Sequence, residues 1–279
     1  MRDQQENKKT APDNRQSATI LKQCRHGNML FLRSDQYVGR SMEVYGEFSE
    51  LEGDLFAQLL GPGDTVVEVG ANIGAHTVHL AKLVGAGGKV YAFEPQRVIF
   101  QIMCANLALN ALFNVYAYHA GLGSVPGTLR VPPTDYADVG NFGGLSLTDA
   151  SVGEDVSILT LDGFDLPALK VLKIDVEGME YEVLSGARQT IARHRPAIYV
   201  ENDRQEKSAR LIELIETLGY DMYWHLPTLY NPNNYAGNRE NIFGGIVSIN
   251  LLCIPRELSL TMQGFRKVTG PNDWWRNPA

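Results

Sequence analysis

From Thr65 onward, short apolar-rich runs alternate with longer stretches whose apolar residues recur at helical spacing. "TVVEV" (65–69) is bounded by Gly61-Pro62-Gly63-Asp64 before it and Gly70 after it, the pattern of a strand buried on both faces. Val78, Ala81 and Leu83 then fall near helical spacing, and Gly85 stops that helix. The alternation repeats with "KVYAF" (89–93), a helix opened by Pro95 and running to about Asn110, and "NVYAYH" (114–119). It resumes with "KVLKID" (170–175), a helix from Glu180 to about Arg193, "AIYVE" (197–201), a helix over 208–219 and "YDMYWH" (220–225). A last strand is expected within 244–255. Such repetition predicts an α/β protein with a mostly parallel sheet and helices on both faces.

The regions flanking this core read differently. Residues 1–26 are polar and predicted to be disordered, because they carry too little apolar surface to offset chain entropy. Residues 27–60 are expected to form an extension, with a hairpin strand in "GNMLFLRSD" and a helix over 50–60. Residues 61–255 make the main domain. Its 121–169 stretch, rich in Pro and Gly, is expected to hold short strands and a lid-like loop. Residues 227–245, rich in Asn and Tyr, are expected to lie on the acceptor side of the site. The tail over 256–279 contains Trp274-Trp275, suited to capping the domain or joining a subunit contact.

Composition narrows the classes. The 279 residues are 44% hydrophobic and 20% charged, ordinary for a globular chain with a core. No run of about 18 apolar residues predicts a membrane span, and the polar start does not resemble a secretory signal. Cys24, Cys104 and Cys253 are scattered, without metal-ligand spacing, which fits a reducing cytoplasm better than a disulfide framework. The formal net charge of −7 argues against a nucleic-acid partner. Oligomeric state is not legible.

Candidate chemistry sits where strands end, because open α/β sheets bind ligands outside the carboxyl ends of their strands. After the first core strand come Gly70, Ala71, Asn72 and Gly74, a turn that lets a helix start against a ligand. A dinucleotide fingerprint starting at Gly70 requires glycine at 72 and 75, and Asn72 and Ala75 stand there instead. Glu68 can accept bonds from an ammonium group, and His76 lies at the loop end of the next helix. Glu94, followed by Pro95, lies about 20 positions beyond the loop, where an acid chelates ribose hydroxyls; a helix-entry carboxylate has the same position. Asp175 and Glu177 follow the fourth strand, and Glu201, Asn202 and Asp203 follow the fifth. Acids at that mouth can orient a hydroxyl, take its proton or hold a divalent ion. Asp203 and Glu180 also suit helix caps. His225 ends the sixth strand and is a further candidate base. His79, three residues after His76, reads as a packed side chain.

Together "DTVVEVGANIGAHTVHLAK", "VYAFEP", "LKIDVEGMEYEVLSGA" and "RPAIYVEN" resemble the FkbM family of methyltransferases over roughly residues 28–255. The resemblance implies a Rossmann-like class I methyltransferase fold with a seven-stranded sheet and a reversed last strand. It implies S-adenosylmethionine as methyl donor and O-methylation of hydroxyls on sugars, glycolipids or natural products. By that likeness Gly70, Asn72 and Gly74 surround the methionine part and Glu94 the ribose. Asp175 and Glu177 match the acidic motif at the active mouth. Many relatives carry Asp where this chain has Glu68. A second likeness, to metal-assisted catechol-type O-methyltransferases, suggests Mg2+ on Asp175, Glu201 and Asn202, although the lysine of that group is Gly178 here. The rival readings are a nicotinamide-dependent oxidoreductase and a noncatalytic adenosyl-ligand binding protein.

Overall fold

A computed structural model of the chain describes residues 17–144 and 152–277. It opens with a hairpin of β1 (Thr19–Cys24) and β2 (Gly27–Leu32), followed by helices α1 (Val38–Tyr45) and α2 (Glu50–Leu59). The core then begins with β3 (Thr65–Val69), α3 (Ala75–Val84), β4 (Lys89–Phe93), α4 (Arg97–Leu109) and β5 (Val115–Tyr118). Strands β6 (Gly121–Leu122), β7 (Gly127–Val131) and β8 (Glu154–Leu159) form a separate sheet in the order β6-β8-β7. The core resumes with β9 (Val171–Ile174), α5 (Glu180–Ser185), α6 (Arg188–His194), β10 (Ala197–Glu201) and α7 (Gln205–Thr217). It closes with β11 (Tyr220–His225), β12 (Asn250–Pro255) and β13 (Arg266–Lys267).

The main sheet has the order β13-β11-β12-β10-β9-β3-β4-β5. Neighbours from β5 to β10 are parallel, and β12 runs antiparallel to both β10 and β11. This is the expected α/β sheet with its reversed last strand. It carries an eighth, two-residue edge strand, β13, beyond the seven expected. Alternation along β3 assigns its faces: Val67 and Val69 pack in a core with Val183, Ile191 and Leu211, whereas Val66 packs with Phe56, Leu80 and Val84. Helices therefore cover both faces. That explains why all five residues of β3 are buried and why the sequence shows a continuous run there.

Three expectations need correction. Residues 19–24, within the segment expected to be disordered, form β1, with Cys24 only 1% exposed. Their partner β2 supplies the burial that the polar composition of the region conceals. The N-terminal part of that expectation, residues 1–16, lies outside the described residues. The single helix expected from Glu180 to Arg193 is two helices, broken at Gly186. A Cβ on Gly186 would run into the Gly123 carbonyl just past β6, so only glycine fits at the break. Asp162 caps the new helix start by accepting from the Gln189 and Thr190 backbone N–H groups at 3.0 and 2.8 Å. Finally, the last strand occupies only Asn250–Pro255 of the 244–255 stretch.

One residue fastens the extension to the core beside the glycine loop. Asn106 of α4, fully buried, accepts from Leu30 N–H at 2.6 Å, donates to Leu30 O at 2.9 Å and donates to Ile73 O at 2.8 Å. The hairpin and the glycine loop thus hang on the same amide. No helix among the described residues is long and apolar enough to cross a membrane.

Candidate active site

The carboxyl ends of β3, β4, β9 and β10 open into one cavity, at the place where chain order reverses on either side of β3. Glu68, Gly70, Ala71, Asn72, His76, Glu94 and Pro95 line the end beside the glycine loop. Asp175, Glu177 and Glu201 line the other end. Gly74 stands just behind the wall as the residue from which α3 starts. The expected glycine loop and strand-end acids therefore converge.

The loop owes its course to two close approaches. Gly70 has φ +81°, and a Cβ there would run into the Asp175 carbonyl, so β3 and β9 can end side by side only with glycine. Asn72 takes the left-handed region with φ +51°, and its own Oδ1 accepts from Ile73 N–H at 2.7 Å. Its backbone N–H donates to Glu94 Oε2 at 2.9 Å, while Gln96 N–H donates to Glu94 Oε1 at 2.8 Å. Glu94 is thus clamped across the loop, 4% exposed. Burial raises its carboxyl to about 7 against those two bonds.

Glu68 is 1% exposed, accepts from Thr77 Oγ1 at 2.6 Å, and is raised to about 7 by burial. Its neighbour is Lys173, which the motifs did not single out. Lys173 lies on β9 in direct register with Glu68 on β3 and Tyr199 on β10. It is 2% exposed, with Nζ 3.8 Å from Glu68 Oε1 and 3.3 Å from Asp175 Oδ2. Burial disfavours its charge, but the Asp175, Glu68 and Glu52 carboxylates more than compensate and hold the ammonium above its ordinary value. The available signal was a lysine between apolar residues in an all-buried strand, where only a paired charge is tolerated. Glu52, a buried acid from α2 in the extension, also lines the cavity and left no comparable signal. His76 is 8% exposed, edge-on to Phe56, with Nε2 3.7 Å from Glu52 Oε2; burial keeps it neutral, far below its ordinary value.

At the other end, Asp175, Glu177 and Glu201 each offer an oxygen, all within 4.8 Å of one another, and they are the one such acidic group among the described residues. Glu177 has φ +55° and accepts from Arg204 Nη2 at 2.6 Å. Burial and the Asp175 carboxylate push it up to about 7 despite that arginine. Glu201 is raised well above its ordinary value by burial, then by Asp175 and Glu177. Its Oε2 is buried without a partner among the described residues, as is Nδ2 of Asn250, the residue paired with it across β10 and β12.

Two candidates lie elsewhere. Asn202 does not line the cavity; its amide donates to Ser208 Oγ at 2.9 Å, and Glu177 takes its place in the acidic group. His225 is also outside, because β12 enters the sheet between β10 and β11 and carries the end of β11 away from the mouth. Its Nδ1 is 2.8 Å from Tyr199 Oη, and burial lowers it to about 4. His79 is packed, as expected, against His26 with ring centroids 3.8 Å apart. Of the two helix-cap assignments, Glu180 does sit in the first turn of α5 and accepts from Gly178 N–H at 2.8 Å. Asp203 instead precedes Arg204, the residue before α7.

The long connections supply the remaining walls. Gly121, Leu122, Asn141, Gly143 and Ile158 come from 121–169, and Gln96 Nε2 donates to Phe142 O at 2.7 Å. From 227–245 only Leu229 reaches the cavity. That loop is tied to the extension through Glu47, which accepts from Asn231 Nδ2 at 2.8 Å and Tyr235 N–H at 2.7 Å.

A family profile described as "Methyltransferase FkbM domain" matches residues 68–222. The chain is 32% identical to methyltransferase sdnD of Sordaria araneosa, covering 43% of this chain and 59% of that one. It is 28% identical to the hexuronic acid methyltransferase AglP of Haloferax volcanii, covering 54% of this chain and 63% of that one. The chain thus spans 59–63% of the length of these curated relatives. The crystal structure of methyltransferase FkbM from Methylobacillus flagellatus KT aligns with a TM-score of 0.45 and 18% identity, over 78% of this chain and 55% of that one. With more than half of its length inside the profile, this chain belongs to the FkbM methyltransferase family.

Proposed function

We propose that this chain is an S-adenosylmethionine-dependent O-methyltransferase acting on a hydroxyl of a sugar, glycolipid or natural product. The observation that carries the reading is the density of acids in the cavity. Among the described residues, six carboxyl side chains line it, and Lys173 is the only lysine or arginine that does. Such walls favour a ligand bearing an ammonium and a sulfonium and oppose the pyrophosphate of a nicotinamide cofactor. S-adenosylmethionine supplies an electrophilic methyl group when bound. Glu94 is placed to accept from ribose hydroxyls and Glu68 from an ammonium. The name of the Haloferax relative supports a sugar-type acceptor.

In this reading the protein works mainly by position. The acceptor hydroxyl would lie against Glu177, which would take its proton, and Glu201 would accept from a neighbouring donor of the acceptor. Asp175 completes the wall between acceptor and cofactor. Calorimetry with S-adenosylmethionine and with NAD separates the two cofactor classes: binding of NAD alone overturns the proposal. A labelled-methyl screen against extracts, read by mass spectrometry, then identifies the acceptor and the atom methylated.

A second reading concerns Mg2+. The partnerless Glu201 Oε2 and its two acidic neighbours form an oxygen donor set that fits a hard divalent cation. The ligands would be Asp175, Glu177 and Glu201, and the ion would polarise the acceptor oxygen. Turnover unchanged in excess EDTA discards this reading and leaves the methyl-transfer proposal intact.

A further inference from the structure

Lys173 is the cavity feature that the motifs leave unexplained. A lysine 2% exposed in the middle of the sheet is costly unless paired, and apolar side chains of similar size fit such a position without that cost. Its ammonium lies on the face of the sheet that packs under α2 and α3. Glu68 of β3, Glu52 of α2 and Asp175 beyond β9 surround it, and the nearby His76 of α3 is neutral. Asp175, whose side chain is 42% exposed, receives from Lys173 the one hydrogen bond its carboxylate makes among the described residues.

The proposed donor changes charge when it reacts: its sulfonium is a cation, and the thioether left behind is neutral at sulfur. A cavity lined by six carboxyl groups favours the cation. Carried too far, that preference binds the ground state more tightly than a transition state in which the sulfur is already losing its charge, and it slows transfer. One buried ammonium among three of those carboxylates opposes it. We propose that Lys173 determines cofactor charge specificity, as the fixed counter-charge setting how strongly the cavity distinguishes S-adenosylmethionine from S-adenosylhomocysteine. This rests on the cofactor reading above and adds to it a role that neither the glycine loop nor the ribose-side acid fulfils.

Calorimetry of the full-length chain with each of the two ligands tests the idea without any acceptor. The readout is the ratio of the two dissociation constants. In Lys173→Met the preference for S-adenosylmethionine rises by roughly five- to tenfold, the size expected for removing one unit charge several ångströms away in a partly screened interior. Lys173→Arg keeps the wild-type ratio. Glu52→Gln, which removes an acid from the other side of the ammonium, moves the ratio the opposite way and serves if Lys173→Met does not fold. A lysine that merely holds the structure weakens both ligands together, so an unchanged ratio in Lys173→Met or in Glu52→Gln overturns the proposal. Failure of both ligands to bind the wild type overturns the cofactor reading itself, whereas normal binding with an unresponsive ratio removes only the role of Lys173.

Discussion

The two ends of the cavity are built from the same residue types and differ in how those residues are satisfied. At the glycine-loop end each acid is held: Glu94 by two backbone N–H groups and Glu68 by Thr77. At the end formed by Asp175, Glu177 and Glu201, Arg204 holds Glu177, but Glu201 Oε2 and Nδ2 of the adjacent Asn250 are buried without a hydrogen-bond partner among the described residues. Buried polar groups are rarely left unpaired, and a cluster of exceptions marks a place where a ligand completes the bonding. The glycine-loop end is therefore satisfied internally, and the acidic end keeps the unpaired atoms that the proposed acceptor would complete.

The sharpest way to break this comparison is to remove Glu177. Glu177→Ala is expected to lower methyl transfer by about 10²–10⁴-fold, the usual contribution of a positioned base, while S-adenosylmethionine affinity stays within a few-fold of wild type. A wild-type rate removes the assignment. The Glu94 variant should show the opposite pattern. Glu94→Ala deletes a carboxylate proposed to bond the ribose and is expected to weaken S-adenosylmethionine about 10–100-fold, measured by calorimetry, on the scale of hydrogen bonds to a charged group.

The pH dependence comes next in size. A base held at about 7 must be ionised to act, so kcat/KM should rise with pH up to about 7 and level off above it. An acidic limb that ends below pH 5 points to another base. Stability moves the other way for Glu94. Its folded-state value of about 7 lies above the ordinary 4.5, so the folded state holds a proton that the unfolded state has lost between those values. Its contribution therefore falls as pH rises through that window. Glu94→Gln cannot lose it, and its melting temperature relative to wild type should climb from pH 4.5 to 7. The smallest effect is expected at His225: His225→Phe should change transfer by less than about twofold and cost about 1 kcal/mol of stability through the lost Tyr199 bond.

What the sequence made legible follows the same division. The glycine-loop end is local, formed by turns directly after β3 and β4, so the glycine loop and Glu94 could be read from adjacent residues. The sheet itself was legible because strands buried on both faces announce themselves as apolar runs. His225 was misplaced because chain order puts β11 directly after β10, whereas the sheet inserts β12 between them. Asn202 was misread for a side-chain reason: its backbone follows β10, but its amide is engaged by Ser208. Lys173 and Glu52 belong to a charge group in which β9 meets β3 and α2, each more than 100 residues before it in sequence, and no periodicity reports such a meeting. β1 escaped notice because its apolar positions are sparse until β2 covers them.

The insertion of β12 also bears on how the chain is made. The family profile stops at residue 222, yet β10 and β11 meet only through a strand spanning Asn250–Pro255. During vectorial synthesis both strands leave the ribosome before the element that joins them, and each has an unpaired edge until residue 255 follows. Cutting the chain at the end of the profile would make that transient state permanent, so the segment that defines the family by its sequence is shorter than the smallest piece able to close the sheet.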